Sequence, residues 1–511
     1  MPSYGYLINP KSGASTLAHQ LGQTLSLSEE PRQRFRRDYL DSFDWRLLNK
    51  GYCLQAEHRD DAISLQLLRL RDLTFITQLH SAKLPRFVDE LGRSRLASLL
   101  RPILDVRALL PHIKATVTQQ CLRQLNAQAK TTAVICIEQI NPGAAGQALK
   151  LLFHTPIKGY DTDNKRISAQ LKHEPSLEAT PQGALQLLLK RLDIDTSYNS
   201  KADIVLDGQA RSDAQMKRLL AFFLGVMRRN EDGVIKDIDS EFLHDYRIAV
   251  RRSRTLLGQL PGTVPQRALA RAKRQLAQLG RITTPLRDLD VMLLNFDDYR
   301  TLLPNTLQDD LEPALAFIRE QRRTAYKNVC RHLRSNSHAR FYQGWRRFLE
   351  TPVPANTRLA NAKRPLAQVA DERIWKSYKK VLKQGKAITA ASAPEDLHTL
   401  RKSCKKLRYL MEFFRTLYAR KKLKQLIAIL KHLQDNLGEY QDIHVHIDFF
   451  ARLREAMHEQ GRLPQTTAHA LDTLIANLNV QQQGQRQAFH ERFTQFNSKP
   501  HRQSFKALFN P

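Results

Sequence analysis

An internal repeat is the feature that most constrains the fold of this chain. The segment His244–Arg254 matches His398–Arg408 at an offset of 154 residues, and both contain a histidine, a basic residue three positions later, a basic pair and a final arginine. A second pair of segments, Leu286–Val291 and Tyr440–Val445, keeps the same offset. Because two separate matches share one register, the sequence predicts a duplicated structural unit.

Each repeated basic segment has the pattern of an amphipathic helix. At about 100° per residue, four basic residues fall on one face and apolar residues such as Val250 and Leu407 fall on the opposite face. We call the two basic faces the first and second rails, and they consist of His244, Arg247, Arg251 and Arg254, and of His398, Arg401, Lys405 and Arg408. Further basic residues flank the rails, namely Arg252, Lys402 and Lys406.

The rails predict a surface that binds an anion. Like charges four residues apart on a helix repel by a few tenths of a kcal/mol, so an anion that neutralises them is stabilising. Arginine provides forked donors for phosphate oxygens, and lysine provides a point charge. A solvated face is the usual interpretation of a charge run, but the duplication in register favours a ligand surface.

Two acidic positions follow the rails at equivalent places. Arg287-Asp288 and Gln441-Asp442 lie on the helix predicted after each rail, where an aspartate can orient an arginine of the neighbouring helix. We interpret these four residues as supports of the rails rather than as catalytic groups.

The charge of the chain is concentrated in its second part. The formal net charge is +31, and the residues after position 212 contribute 53 basic and 29 acidic side chains to it. Such an excess favours an anionic partner, including nucleic acid. The five cysteines form no regular framework, which indicates a reducing compartment and no disulfide scaffold. Neither a signal peptide nor a membrane-spanning stretch is expected.

The residues before about position 195 show a different pattern. Short apolar runs at Tyr52–Ala56, Leu73–Leu79 and Ala133–Ile137 predict strands, and Leu84–Leu91 and Ala184–Leu192 have helical spacing. This predicts an α+β domain with a mainly antiparallel sheet. After it, helical periods are interrupted only at short breaks, which predicts an all-α domain of roughly 300 residues.

The repeated motifs resemble the CHAD domain, the conserved histidine α-helical domain. The similarity covers about residues 212–511 and rests on the two rails and on Arg287–Val291. The resemblance implies two helical bundles related by pseudo-symmetry, with basic residues that bind inorganic polyphosphate. It therefore makes polyphosphate preferable to nucleic acid, with the two rails facing one polyanion from opposite sides.

The N-terminal part more faintly resembles CYTH or triphosphate-tunnel domains, through the segment Tyr39–Gly51. Enzymes of that family hold a divalent metal with an ExExK motif on an early strand. Here Met1–Gln20 contains no Asp or Glu, and residues 148–155 lack a glutamate pair. We therefore expect a degenerate module that is not an enzyme and has no metal site. Four arginines precede the segment and fit either a phosphate contact or an exposed loop, and they are Arg32, Arg34, Arg36 and Arg37.

The expected function is thus that of a polyphosphate-binding protein without a cofactor, located in the cytoplasm and associated with polyphosphate granules. The alternatives are a metal-dependent triphosphatase or polyphosphatase acting through the N-terminal domain, and a general nucleic-acid binder. Metal binding by His244, His398, His444 and His446 is the weakest alternative, because cations surround the first two and the last two point apart on a helix. The predicted organisation is a CYTH-like domain at 1–195, a linker at 196–211 and a CHAD domain at 212–511, with repeat units at about 212–350 and 366–511.

Overall fold

The structure is a computed structural model that describes residues 4–60, 62–143, 147–201, 204–389 and 391–510. The chain divides into two compact units, Met1–Tyr198 and Asn199–Pro511. The division falls inside the predicted linker. No helix in the described part of the chain is both long and apolar enough to cross a membrane.

The first unit is built on one antiparallel sheet. Its strands are β1 (Tyr4–Ile8), β2 (Ser28–Glu29), β3 (Gln33–Asp41), β4 (Tyr52–Arg59), β5 (Ala62–Arg69), β6 (Thr74–Ser81), β7 (Leu110–Leu125), β8 (Thr131–Asn141), β9 (Leu149–Pro156) and β10 (Leu177–Thr180). The order across the sheet is β10-β1-β9-β8-β7-β3-β4-β5-β6, and β2 also pairs with β7. The predicted α+β class and antiparallel sheet are confirmed.

In the described part of this unit, five helices accompany the sheet: α1 (Ala14–Leu25), α2 (Arg46–Asn49), α3 (Arg95–Leu104), α4 (Asp161–His173) and α5 (Ala184–Arg191). Alternation along β8 sends Ile135 and Ile137 into a core with α1 and α4, while Glu138 points to the opposite face, which α5 covers. The prediction of a helix at Leu84–Leu91 is wrong for the first half of that segment. Only Val88–Leu91 is helical, and it forms a short 3₁₀ turn.

The segment Tyr39–Gly51, which carried the resemblance of the N-terminal part, has a clear structural role. The buried Asp41 carboxylate accepts hydrogen bonds from the backbone N–H groups of Ser42, Leu47 and Leu48 at 2.7–2.9 Å. These bonds satisfy amides at the start of the short helix α2. Burial nevertheless raises the pKa of Asp41 to about 6, against the effect of the three N–H donors.

One expectation about the cysteines is wrong. Cys121 on β7 and Cys136 on β8 are directly opposite each other, with Cα atoms 4.1 Å apart, and they form a disulfide. The sequence did not predict it because the pairing depends on the strand register and not on a spacing motif. The other three cysteines, Cys53, Cys330 and Cys404, are buried free thiols.

The second unit is helical throughout its regular elements, which confirms the predicted all-α class. Its helices are α6 (Ser212–Ile235), α7 (Ser240–Gln259), α8 (Gln266–Leu294), α9 (Phe296–Thr301), α10 (Glu312–Leu333), α11 (Asn336–Glu350), α12 (Leu366–Lys386), α13 (Pro394–Phe413), α14 (Arg420–Glu459), α15 (Gln465–Phe496) and α16 (Lys499–Phe509). The first residues of α6, α7 and α8 lie 154 positions before those of α12, α13 and α14.

A local two-fold axis relates the two repeats. The N–H of Ser212 donates to the carbonyl of Arg364 at 3.0 Å, and the N–H of Leu366 donates to the carbonyl of Ala210 at 3.0 Å. Ser212 is equivalent to Leu366 in the second repeat, and Ala210 is equivalent to Arg364. Each bond is therefore the symmetry equivalent of the other, as a two-fold axis requires. Both repeats also contribute to one core, where Met292 and Ile318 lie in the same apolar cluster as Phe450 and Leu474.

Close packing between α12 and α15 generates a prediction about Gly385 in α12. A Cβ atom there would lie 1.9 Å from Cε2 of Phe493, whose ring stacks on Phe489 and has little room to move. We expect Gly385→Ala to lower the free energy of unfolding by about 1–3 kcal/mol, because overpacking outweighs the better helix propensity of alanine.

The matched control is Gly484→Ala in α15, where nothing lies within 4 Å of the new Cβ. This variant should be unchanged or more stable by up to about 1 kcal/mol. Urea unfolding followed by far-UV circular dichroism measures both. Equal midpoints for the two variants would contradict the packing described for α12.

Candidate functional site

The two rails lie on α7 and α13, which pack against each other in the second unit. The apolar faces predicted for the two helices are buried, including Tyr246 and Val250 on α7 and Leu407 and Met411 on α13. The basic residues lie on the less buried faces, and Arg251, Arg254, Lys402 and Lys406 are exposed.

The rails approach each other at equivalent positions near the two-fold axis. Burial, together with the charges of Arg401 and of Arg251 from the other rail, lowers the pKa of Lys405 to about 8. Arg251, Arg252 and Arg408 also lie 5.8–5.9 Å from the ring centroid of Tyr409 on α13. Cations of both repeats are therefore collected around one side chain, at the outer limit of a cation–π contact.

The second rail is held by α14. The guanidinium of Arg401 donates to Asp442 at 2.7 Å, and Nδ1 of His398 donates to Oε1 of Gln441 at 2.6 Å. Both acceptors are positions that we interpreted as supports. These bonds fix the direction of the two side chains, while Asp442 itself stays largely exposed.

The first rail is held differently. The guanidinium of Arg247 donates to the hydroxyls of Thr283 and Thr284 at 2.8 and 3.0 Å and to the carbonyl of Gly280 at 3.2 Å, all on α8. Burial lowers the pKa of Arg247 to about 10, and the charges of Arg251 and Arg287 act in the same direction. Arg247 is thus partly a structural residue.

Arg287 and Asp288 do not repeat the arrangement of Gln441 and Asp442. Arg287 donates to the carbonyl of Ser240 at 3.3 Å and lies 4.0 Å from Glu241. No hydrogen bond joins Asp288 to Arg247 among the described residues, although its negative charge acts on that guanidinium. His244 is half-buried on α7.

An ion pair between the repeats breaks their symmetry. Arg252 on α7 donates to Glu412 on α13 at 3.1 Å, and Glu412 also lies 3.5 Å from Arg408. The residues equivalent to this pair are Lys406 and Gly258. Because glycine replaces the carboxylate, Lys406 has no equivalent counter-charge.

An open cavity of about 620 Å³ lies at this second position. Its described lining includes Gly258 and no carboxylate. Five cations belong to it, and they are Arg251, Arg254, Lys273, Arg274 and Lys406. We call this the cation cavity. It brings together α7, α8 and α13, and nothing lies within 4 Å of a Cβ placed at Gly258.

Sequence reasoning missed Lys273 and Arg274, both on α8. In the second repeat their equivalents are Ile427 and Ala428, so a search for residues shared by the two repeats could not find them. The sequence does contain a pattern that would have pointed to Arg274. Arg267, Arg271 and Arg274 have the spacing of residues on one face of a helix.

Three of the histidines considered as metal ligands have neighbours other than one another. His446 Nδ1 is 3.1 Å from the hydroxyl of Tyr299, and Nε2 of His444 lies 3.8 Å from Asp448, while His398 is bound to Gln441. Burial lowers the pKa of His446. Within the described ranges, no group of three or more His, Cys, Asp or Glu side chains is arranged to hold a metal ion.

Comparison with known families bears on this helical unit. The family model of the CHAD domain matches residues 218–451, which extend from α6 into α14 and include both rails. Residues 218–451 form a CHAD domain. The resemblance predicted from the two basic helices is therefore confirmed for this part of the chain.

Solved structures give further similarities. A CHAD domain from the plant Ricinus communis has a TM-score of 0.47 at 22% identity, with 57% of this chain and 96% of that chain covered. PptA from Streptomyces chartreusis has a TM-score of 0.41 at 16% identity, covering 56% and 99%. HpAC1 from Hippeastrum, described as having a dominant triphosphatase activity, has a TM-score of 0.29 at 12% identity, covering 39% and 100%. No curated protein sequence matches the chain.

Proposed function

We propose that the CHAD domain binds inorganic polyphosphate through the cation cavity and the adjoining rails. The observation that carries the proposal is the collection of five cations without a described carboxylate around one open cavity. A chain of phosphates supplies closely spaced negative charges and oxygen acceptors, which match forked arginine donors and lysine point charges. The CHAD family, through its resemblance, suggests polyphosphate as the polyanion.

The difference between the repeats supports one main site rather than two. At the position equivalent to the cation cavity, Glu412 occupies the place of Gly258, and it already neutralises Arg252 and Arg408. Ile427 and Ala428 replace the two cations of α8 there. A polyanion would therefore bind first at the cation cavity and continue along the rails, where Arg251 and Lys405 of the two repeats are neighbours.

Nucleic acid is the less favoured polyanion. Stacking on exposed aromatic side chains contributes much of single-strand binding, whereas Tyr409, the aromatic residue among the rail cations, is buried. Binding of polyphosphate would also bring the protein to polyphosphate granules. Competition between polyphosphate, DNA and RNA at one ionic strength separates these partners.

The N-terminal domain, in our proposal, is not a triphosphatase. Sequence reasoning missed two buried carboxylates, Glu57 and Glu138, but both accept hydrogen bonds from Arg37 at 2.6–3.1 Å. Carboxylates committed to a buried guanidinium are poor ligands for a divalent metal. Incubation with triphosphate and Mg²⁺ or Mn²⁺ should give no turnover above that of a buffer control, and reproducible turnover would overturn this part of the proposal.

The substitution Gly258→Glu tests the cation cavity. It places a carboxylate where Glu412 lies in the other repeat, at a position with open space and without removing any cation. We expect the affinity for long polyphosphate to fall by about tenfold or more, since one added charge contact of about 1.4 kcal/mol corresponds to a factor of ten.

Gly484→Glu is the matched control, because it changes the net charge equally at an exposed helix position with open space. It should bind polyphosphate within about twofold of wild type, measured by titration at fixed ionic strength. Equal losses in the two variants would mean that binding depends on net charge and not on the cavity.

The lowered pKa of Lys405 predicts a pH dependence. The protonated amine favours the polyanion, so the affinity should be constant below about pH 8 and fall as the pH rises through that value, by up to about tenfold per unit. Lys405→Arg keeps its charge over this range and should remove the decrease. A wild-type profile as flat as that of the arginine variant would contradict a role for Lys405 in binding.

A further inference from the structure

A cavity in the N-terminal domain has a different chemistry from the cation cavity. Its volume is about 450 Å³, and it lies between the sheet and α5. This size falls within the usual range for small-molecule sites. We call it the sheet cavity.

Most of its wall is apolar. Leu68, Leu70, Phe153 and Leu185 line it, and Phe75, which is 51% exposed, belongs to both the lining and the protein surface. Phe75 therefore marks the opening of the cavity, and an apolar molecule that enters it would cover this exposed ring.

Leu73 closes one side by an unusual backbone conformation. It lies in the turn between β5 and β6 with a φ of 52°, a backbone conformation that residues other than glycine rarely adopt. Its two terminal methyl groups approach Gly5 and Gly183 so closely that a Cβ at those positions would lie 3.3 and 2.8 Å from them. The strained turn thus spans from the β5–β6 edge to the start of α5 and encloses the cavity.

The charged groups of the sheet cavity already neutralise one another. Arg37 donates two hydrogen bonds to Glu57 and two to Glu138, and Gln119 donates to Glu138 at 2.8 Å. Burial by itself would raise the pKa of Glu138, but the charge and hydrogen bonds of Arg37 outweigh it and the pKa is lowered. An anionic ligand that recruits Arg37 would have to break these bonds and take from Glu138 its buried counter-charge, which is costly.

Two neutral polar groups remain for a ligand. The hydroxyl of Tyr39, a residue only 1% exposed, lies beside the Arg37 guanidinium but has no hydrogen-bond partner of ordinary geometry among the described residues. Because a guanidinium can only donate, the O–H of Tyr39 can still donate to a ligand. Gln55 uses its amide nitrogen to donate to Gln66 at 2.9 Å, so its carbonyl oxygen can accept. Both side chains line the cavity.

We propose that the sheet cavity is a binding site for an uncharged, mainly apolar small molecule with one hydroxyl or amine group directed at Tyr39 and Gln55. The apolar wall gives affinity by burying the ligand, and the two neutral polar groups fix its orientation. This proposal does not depend on polyphosphate binding, which concerns the other domain.

The test is a fluorescence titration of the full-length chain with N-phenyl-1-naphthylamine, a neutral apolar probe with one N–H donor. We expect saturable binding of one probe per chain, displacement by 1-decanol and no displacement by tripolyphosphate. No saturable binding, or displacement by tripolyphosphate as effective as that by 1-decanol, would overturn the proposal.

Variants locate the probe. Leu68→Trp fills part of the cavity with a larger apolar side chain and should weaken probe binding by about tenfold or more, whereas Leu125→Trp, the same change at an exposed position outside the lining, should leave it within about twofold. Phe75→Ala at the exposed opening should also weaken probe binding, even if Leu68→Trp fails to fold.

Tyr39→Phe tests the polar group. It should weaken the binding of 1-decanol by roughly fivefold through loss of one hydrogen bond. Wild-type affinities in both the Phe75 and Tyr39 variants would place the probe elsewhere.

Discussion

Two helices with like charges pack against each other in the CHAD domain, and this repulsion has to be balanced by the rest of the unit. The opposite faces of α7 and α13 are apolar and buried, and this burial holds the helices in place. Hydrogen bonds from Arg401 to Asp442 and from Arg247 to α8 then fix individual cations. Hydrophobic burial thus maintains an arrangement that electrostatics alone would disperse.

The repeats are related by a two-fold axis, yet they differ where the charges are concentrated. One side contains the Arg252–Glu412 ion pair, while the equivalent side contains Lys406 and Gly258. The ion pair stabilises the contact between α7 and α13 in one place, and its absence leaves the cation cavity in the other. The two repeats therefore share the arrangement of helices, and residues that differ between them line the cation cavity.

Much of this could be predicted from sequence, because the 154-residue offset and the helical periodicity are properties of the chain itself. The rails at His244–Arg254 and His398–Arg408 and the all-α class followed from those patterns, and the α+β class followed from short apolar runs typical of strands. Lys273 and Arg274 did not, because residues that differ between repeats give no repeat signal. The Cys121–Cys136 disulfide and the pairing of Arg37 with Glu57 and Glu138 were also missed, since both depend on strand register. Arg34, Arg36 and Arg37 lie on β3 and not in an exposed loop.

In the proposed function, the polyanion occupies one defined place on the CHAD domain. Lysine acetylation in the presence and absence of long polyphosphate, read by mass spectrometry, tests it most directly. Lys273 and Lys406 line the cation cavity, whereas Lys327 and Lys379 lie on α10 and α12, outside its lining, and all four are exposed. We expect polyphosphate to protect the first two lysines and to leave the other two reactive. Equal protection of all four, or protection of Lys327 and Lys379 alone, would contradict it.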